Sequence, residues 1–494
     1  MKAEQSGLAV QGARIAPNPV LLDQPIEKSE IRRAVLGLAW PSILENLLQS
    51  VLGLVTILMV ARLGAAAVAA VGSSMQLQIL FISAFFALSM GTTVLAAHAY
   101  GAGRIDTADM IAKQSVVAGV TLALAFTAIV IVFATPMIQL LGAEPDVVAD
   151  GARFMRWSAI SFVFMAVMFI LGGVLRGVGD TRTPMLVTVG INIINVAIAP
   201  ALIFGLAGLP RLEIDGAALA MIISRAVGGI VMAALLLRGW RGVSIAGRHD
   251  WRPNLVHLKR LGDIGLPSMA ESLLRSGGQI LFIVIVFMLG TTVNAAFQIA
   301  QNAMFLSMFP GFGFAMAATA LVGQSLGARN VPRARAVTAT ATRACLVWMS
   351  AMGVLFFVFA RPIMELGAAS GAEHDEIVRV GATALMIIAF AQPFQAVGFA
   401  LAGALRGAGD TRWPMYSTAI SMWVFRLPLA YLFAITLDLG LAGVFIAMTL
   451  DTFILMIMNL WRYRQGKWAE RRVLVAEPVE QPAGEPAKAV TADG

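Results

Sequence analysis

Six ionisable side chains interrupt the apolar stretches of this sequence, and their residue types make them the best candidates for chemistry. The set contains three acids and three bases: Glu45, Glu271, Asp451, Arg225, Arg275 and Arg426. An ionisable group at the centre of a bilayer costs about 2.5 kcal/mol or more, so each one is a functional candidate. A carboxyl group there can bind a proton or a cation, and an arginine beside it stabilises the negative charge. Pairs of opposite charge could equally serve only to join helices.

Glu45 and Glu271 are the most informative acids because they occupy equivalent positions of an internal repeat. Each stands four residues after a proline, in the segments WPSILENLLQS and LPSMAESLLRS. One helical turn further on, Glu271 meets Arg275 whereas Glu45 meets Gln49. An uncharged neighbourhood favours the protonated form of a carboxyl group, and a nearby cation favours the ionised form.

The sequence therefore predicts that Glu45, near mid-depth of the membrane and free of any guanidinium, is the protonatable group. Glu271 and Arg275 are predicted to form a paired counterpart, and Asp451 is a further candidate for ion coupling. The plainer alternative is that Glu45 accepts hydrogen bonds from a buried Asn or Gln.

Amide side chains on the same predicted helices could line a substrate cavity. The candidates are Asn46, Gln49, Gln279, Gln298, Gln301 and Gln395. Taken singly, such amides more often form hydrogen bonds between neighbouring helices than bind a ligand. The sequence leaves both interpretations open.

One segment occurs twice with small changes. LGGVLRGVGDTRTPM at 171–185 and LAGALRGAGDTRWPM at 401–415 are identical at 11 of 15 positions. The pattern predicts an elbow: an apolar helix, a tight turn, and a new helix with proline in its first turn, where a missing N–H costs nothing. The aspartates are expected to accept bonds from free N–H groups at the new helix start, and the arginines to place positive charge at the turn. The residues assigned to this architecture are Arg176, Gly177, Asp180, Thr181, Pro184, Arg406, Gly407, Asp410, Thr411 and Pro414.

Composition places the chain in the membrane class. Of its 494 residues 59% are hydrophobic and 13% are charged, which is too apolar for a soluble domain. The net charge of +8 comes from basic residues in short loops, so no nucleic-acid partner is expected. The single Cys345 and four scattered histidines give no disulfide or metal spacing, and we expect no cofactor. No phosphate-binding loop or hydrolase motif is found, which argues against an enzyme and against transport powered by ATP hydrolysis.

Twelve apolar runs are long enough to span a bilayer. They fall at about 33–60, 66–97, 113–135, 152–175, 184–208, 214–238, 260–288, 294–323, 337–360, 377–405, 414–437 and 440–461. Because each half has six helices, both halves enter the membrane from the same side, as parallel repeats about an axis along the membrane normal. The predicted fold is an all-α membrane protein in which two six-helix lobes with pseudo-twofold symmetry enclose a cavity. The predicted divisions are a cytoplasmic arm at 1–32, an N-lobe at 33–238, a linker at 239–258, a C-lobe at 259–465 and a disordered tail at 466–494.

Lysine and arginine are distributed unevenly between the two sets of loops. They concentrate in the linker, in the loop after the eighth helix and in the segment after the twelfth, whereas the opposite loops are acidic or neutral. By the positive-inside rule, both termini and both elbows lie in the cytoplasm. The expected location is the inner, or plasma, membrane, with the lipid bilayer as the main surroundings.

Several segments resemble the multidrug and toxic compound extrusion (MATE) family, in particular its bacterial NorM-like and DinF-like members. They are WPSILENLLQS in the first helix, PGFGFAMAATALVGQSLGA at 310–328 and the doubled LRGxGDTRxPM. The resemblance implies an antiporter that expels organic, often cationic, amphipathic compounds in exchange for H+ or Na+, by alternating access of two lobes. We expect it to be a monomer.

This sequence departs from better-known members of that family at three acidic positions. Thr56 stands where many relatives carry an Asp in the first helix, and Ala199 precedes the fifth-helix proline in place of an Asp. The tenth-helix carboxylate of sodium-coupled relatives is replaced near Gln395. Ion coupling must then have moved to other acids or be missing. Two further classes of function stay open. One is a flippase for a lipid-linked saccharide, which requires a cationic cavity that the three arginines named above could form, and the other is a membrane scaffold without transport.

Overall fold

The structure is a computed structural model that describes residues 27–142, 144–206, 208, 210–246, 251–368, 373–471 and 473. The predicted cytoplasmic arm up to residue 26 and the predicted disordered tail from residue 474 lie outside the described residues. The described part is built from long helices, and the predicted all-α membrane fold is confirmed.

Eleven uninterrupted helices and one bent pair are long and apolar enough to cross a membrane, so the described residues contain the twelve predicted spans. The first six, called the N-lobe, are α1 (Lys28–Ala61), α2 (Ala65–Gly101), α3 (Ile105–Leu140), α4 in two pieces (Pro145–Ala159 and Phe162–Gly177), α5 (Arg182–Phe204) and α6 (Glu213–Leu237). The C-lobe comprises α7 (Leu255–Phe287), α8 (Thr291–Gly327), α9 (Val331–Val358), α10 (His374–Gly407), α11 (Arg412–Thr436) and α12 (Gly440–Arg464), with a short helix at Ala360–Gly367.

Several helices begin before the apolar runs that predict them. The first helix starts at Lys28 rather than near 33, and the third at Ile105 rather than near 113. Hydropathy detects the part of a helix that faces lipid, whereas the backbone hydrogen bonds continue into polar turns at the surface. With these bounds, Glu45 lies at the middle of α1.

The fourth span is broken where the sequence predicts one straight helix. Its two pieces are bent by 49°. At the break, Ser161 Oγ donates to the carbonyl oxygen of Ser158 at 2.6 Å, and Ser158 Oγ donates to that of Met155 at 3.0 Å. Hydroxyl groups that bond back to preceding carbonyls bend helices. The break also exposes polar groups to the bundle interior, where Arg225 Nη1 of α6 donates to Ser161 Oγ at 2.8 Å.

The two lobes approach each other closely at the ends of α2 and α8. A Cβ atom on Gly101 would lie 2.0 Å from the carbonyl oxygen of Gln324, and one on Gly327 would lie 2.2 Å from that of His98. Small residues allow such close backbone contact between membrane helices. The two glycines occupy equivalent positions of the repeat, in the segments YGAGR and LGARN. Since α4 and α10 end in the elbows on this same side, we call it the elbow side.

Candidate functional site

Glu45 of α1 forms a buried ion pair with Arg176, from the last turn of α4. Arg176 Nη1 lies 3.2 Å from both carboxylate oxygens, and its Nη2 donates to Ser89 Oγ of α2 at 3.3 Å. The Arg176 and Glu45 side chains are 8% and 13% exposed. The prediction that Glu45 has no guanidinium partner is therefore wrong. The partner comes from another helix, 131 residues along the chain, rather than from the next turn of α1.

Glu271 of α7 is held by two guanidinium groups. The predicted contact with Arg275 is present, with Nη2 3.1 Å from Oε1. Arg406, from the last turn of α10, donates through Nη2 to the same oxygen. Thr418 Oγ1 donates to this oxygen at 3.3 Å, and Glu271 is 4% exposed. The Glu271 carboxylate is thus fixed from three directions.

The two ion pairs are related by the repeat. In each lobe the acid of the first helix binds the elbow arginine at the end of the fourth helix, Glu45 with Arg176 and Glu271 with Arg406. The doubled elbow predicts both arginines at the turn and does not predict this pairing. The available signal was that the same duplication repeats both the acids and the arginines. Among the described residues, the lobes differ in that Glu45 has one cationic partner, whereas Glu271 has two.

Asp451 of α12 forms a closed pair with Arg426 of α11. Arg426 Nε donates to Oδ2 at 2.7 Å, and Ser421 Oγ donates to the other carboxylate oxygen. The backbone of α11 widens into π-helical turns at Ile420–Arg426, which contain both donors. Asp451 is 1% exposed, and the Arg426 guanidinium lies over the ring of Phe282 at 5.7 Å. This geometry fits the alternative of an ion pair that joins helices.

A cavity of about 510 Å³ lies inside the N-lobe. The repeat predicts a cavity between the lobes, but this cavity is lined by α1, α2, α4, α5 and α6, with Phe309 of α8 also in contact. Most of its lining is apolar and includes five methionines. The polar lining residues are Glu45, Asn46, Gln49, Ser50, Thr56, Gln78, Arg176, Thr188, Asn192, Asn195, Ser224 and Arg225. Glu45 and Arg176 form the end of the cavity nearest the elbow side, because α4 ends there.

The predicted cavity amides divide between the lobes. Asn46 and Gln49 line the N-lobe cavity, whereas Gln279, Gln298, Gln301 and Gln395 belong to the C-lobe and do not line it. Gln301 and Gln395 each have a buried Oε1 without a hydrogen-bond partner in the described part of the chain. The same holds for Asn192 Oδ1, an acceptor that lines the N-lobe cavity.

The elbow aspartates act differently in the two lobes. Asp180 Oδ1 accepts from the backbone N–H groups of Arg182 and Thr183 at 3.1 Å each, as predicted. Asp410 instead pairs with Arg462 at 2.8 Å and Arg471 at 3.2 Å, which follow the last apolar run. Both aspartates therefore stabilise an elbow, Asp180 by capping the new helix and pairing with Arg241 at 3.2 Å, and Asp410 by pairing with Arg462 and Arg471.

The Asp180 carboxyl makes the stability of the N-lobe elbow depend on pH. Burial raises its pKa, but hydrogen bonds from Thr183 and Trp240 and the charge of Arg241 outweigh burial and hold the pKa below its ordinary value. Such a group stabilises the fold above its ordinary pKa, and the contribution disappears as pH falls through the lowered value.

We expect Asp180→Asn to lower the free energy of unfolding by roughly 1–3 kcal/mol at neutral pH. In acid, the wild-type carboxyl group is protonated as well, so the two free energies of unfolding should become more similar. Thermal unfolding of the detergent-solubilised chain across a pH series measures this. Asp150→Asn, at a carboxylate whose side chain is 39% exposed, is the control. A difference that is the same at every pH would contradict the assignment.

Two equivalent hydrogen bonds between described residues join the lobes at the elbow side. His98 Nε2 of α2 donates to the carbonyl oxygen of Gly407 at 2.9 Å, and Gln324 Nε2 of α8 donates to that of Gly177 at 2.8 Å. His98 and Gln324 are equivalent in the repeat, and the two glycines are equivalent in the doubled elbow. We call these four residues the interlobe latch.

Comparisons with known proteins agree with this architecture. A family model described as MatE matches residues 41–201 and 267–432, one segment in each half. A probable multidrug resistance protein NorM of Thermotoga maritima is 30% identical over 460 residues, covering 92% of this chain and 97% of that protein. An uncharacterized transporter, YisQ of Bacillus subtilis, is 28% identical over 452 residues, covering 91% of this chain and 97% of that protein.

Solved structures share the fold. The crystal structure of a mutant of VcmN, a MATE transporter of Vibrio cholerae, has a TM-score of 0.82 at 23% identity. The similarity covers 90% of this chain and 99% of that one, so it extends over both lobes.

Proposed function

We propose, because the chain belongs to the MATE (MatE) family of multidrug efflux transporters, that it exports small amphipathic molecules by antiport against H+ or Na+. The observation that supports this most directly is the N-lobe cavity with the Glu45–Arg176 pair at its elbow-side end. Its volume of about 510 Å³ lies in the range of sites that take drug-sized ligands. An apolar wall with a few polar groups suits an amphipathic substrate, and Asn192 Oδ1 offers a free acceptor for a substrate N–H or O–H.

Glu45 is the residue we assign to the coupling ion, although it has a guanidinium partner. A proton or Na+ that binds this carboxylate competes with Arg176 for the same oxygens, so the carboxylate charge is compensated in both states. Glu271 cannot make this exchange as readily, because two guanidinium groups and Thr418 hold it. The closed pair of Asp451 with Arg426 is assigned to helix packing.

The two lobes are in contact at the elbow side. We propose that alternating access separates them there, so that the cavity opens to that side. The cavity is lined by the halves of α1 and α2 that lie away from the elbows, including Thr56 and Met75. We propose that both elbows face the cytoplasm, so that the state with a closed elbow side is the one that releases substrate outside the cell.

One observation favours a second candidate, the translocation of an amphipathic anion such as a lipid phosphate. The three arginines do not form a common cationic cavity, because Arg275 and Arg426 each bind a carboxylate. Arg225, however, lines the N-lobe cavity with Ser161 as its hydrogen-bond partner and forms no ion pair with a described residue. A guanidinium in this position suits a phosphate or carboxylate group.

Efflux from proteoliposomes under independently imposed pH and sodium gradients tests the proposal. We expect one of the two gradients to drive efflux of ethidium, a cationic dye, and an ionophore that collapses that gradient to abolish it. Efflux of carboxyfluorescein, an anion, in place of ethidium would favour the second candidate. The absence of flux for both dyes under either gradient would contradict transport and leave the scaffold hypothesis.

A further inference from the structure

The interlobe latch places a hydrogen bond between the lobes directly beside each elbow arginine. Arg176 is followed by Gly177, and Arg406 by Gly407. In each case the arginine side chain binds the first-helix acid of its own lobe, while the next carbonyl oxygen accepts a bond from the other lobe.

The carbonyl groups of the latch lie where a helix needs an external partner. Gly177 and Gly407 are the last residues of α4 and α10, and carbonyls in the last helical turn have no intrahelical donor. The latch supplies that donor from the other lobe. When the lobes separate, water can replace His98 and Gln324, so the latch can open without leaving an unsatisfied group.

We propose that His98 and Gln324 are positioning residues that transmit the state of the first-helix acids to the closure between the lobes. The inference rests on the proposed function of Glu45. When an ion displaces Arg176 from Glu45, the last turn of α4 loses its anchor on α1, and the Gly177 carbonyl moves out of reach of Gln324. A change in charge inside one lobe thereby becomes a change in contact between lobes, because both depend on one helical turn.

The two hydrogen bonds of the latch respond differently to an ion. Glu45 has one cationic partner, so the Gln324–Gly177 half responds to the ion. Glu271 is held by both Arg275 and Arg406, so the His98–Gly407 half stays closed until the other half has opened. Opening therefore begins at Gly177.

Spin labels on exposed positions of the two lobes at the elbow side measure this opening. The labels replace Ala102 after α2 and Arg335 on α9, in a Cys345→Ala background and in nanodiscs. We expect Gln324→Leu to increase the population of separated lobes by about tenfold, since one neutral hydrogen bond is lost. We expect Glu45→Gln to produce a similar shift. The double variant should increase the population of separated lobes little beyond either single variant, because both changes act on the contact of Gln324 with Gly177.

Two further variants separate a positioning role from a general loss of stability. Gln324→His places an imidazole N–H, the donor that His98 uses towards Gly407, opposite the Gly177 carbonyl. Compared with Gln324→Leu, it should restore the population with closed lobes. Gln139→Leu, at an exposed glutamine of α3, should leave the distances unchanged. An unchanged distribution in Gln324→Leu, or full additivity with Glu45→Gln, would refute the inference.

The distance measurements do not depend on transport. If the distances shift as expected while proteoliposomes show no ion-driven flux, the proposed function fails and the latch stands. If flux is present and the distances do not respond to Gln324→Leu, the latch is wrong and the proposed function stands.

Discussion

Replacing Glu45 by glutamine is expected to lower ion-driven efflux by about a hundredfold, to the background of protein-free vesicles. The variant removes the carboxylate that we assign to the coupling ion and leaves the buried Arg176 without its counter-charge. Breaking one partner of a buried ion pair costs about 3–5 kcal/mol, so part of the loss could come from stability alone. Efflux from proteoliposomes must therefore be measured together with thermal unfolding.

The double variant Glu45→Gln with Arg176→Gln separates the two causes. It leaves no unpaired charge, so we expect the unfolding temperature to return towards wild type while ion-driven flux stays lost. The control is Glu365→Gln, which breaks a pair with Arg361 whose side chains are 49% and 76% exposed. Exposed pairs contribute little, so this variant should transport normally. Recovery of transport in the double variant would show that the pair only joins helices.

Replacing Gly101 by alanine is expected to reduce transport by about tenfold or more, because it prevents the lobes from closing at the elbow side. The added Cβ would lie 2.0 Å from the carbonyl oxygen of Gln324 and 2.7 Å from its Cα. These are backbone atoms, which cannot move aside as a side chain does. The helices must separate, and the hydrogen bond from Gln324 to Gly177 opens with them.

Gly72 provides a matched control in the same helix. A Cβ atom there meets nothing within 4 Å, so Gly72→Ala makes the same chemical change without the clash. We expect normal flux and normal unfolding for Gly72→Ala, and a low flux with widely separated spin labels for Gly101→Ala. Wild-type flux in Gly101→Ala would mean that close approach of α2 to α8 is not needed in the transport cycle.

On the proposed function, the difference between the two lobes accounts for a single coupling site in a duplicated chain. Both lobes have the acid of the first helix and the elbow arginine, so the same ion pair is present twice. In the C-lobe, Arg275 adds a second cation and fixes the charge. In the N-lobe, the equivalent turn carries Gln49, which is uncharged and lines the cavity. On the proposed function, this one difference between the halves keeps the charge of Glu271 compensated by a second arginine and leaves Glu45 open to exchange with an ion.

The sequence by itself determined the twelve spans, the duplication, the elbows and the family. Apolar runs and repeated segments are local properties of the chain, and lipid enforces helices wherever such a run crosses the bilayer. The contact of Glu271 with Arg275 was predicted for the same reason, since four residues along one helix fix a distance. The capping of α5 by Asp180 was likewise a local property of the turn.

Only the tertiary structure decided which side chains from different helices meet. The partner of Glu45 is 131 residues away, the cavity lies inside one lobe, and the latch joins His98 and Gln324 to the opposite elbows. These contacts depend on where helices cross and on how α4 is bent at Ser161, which hydropathy and spacing along one helix do not encode. The sequence specifies the charges, and the packing of one helix against another decides which of them neutralise each other.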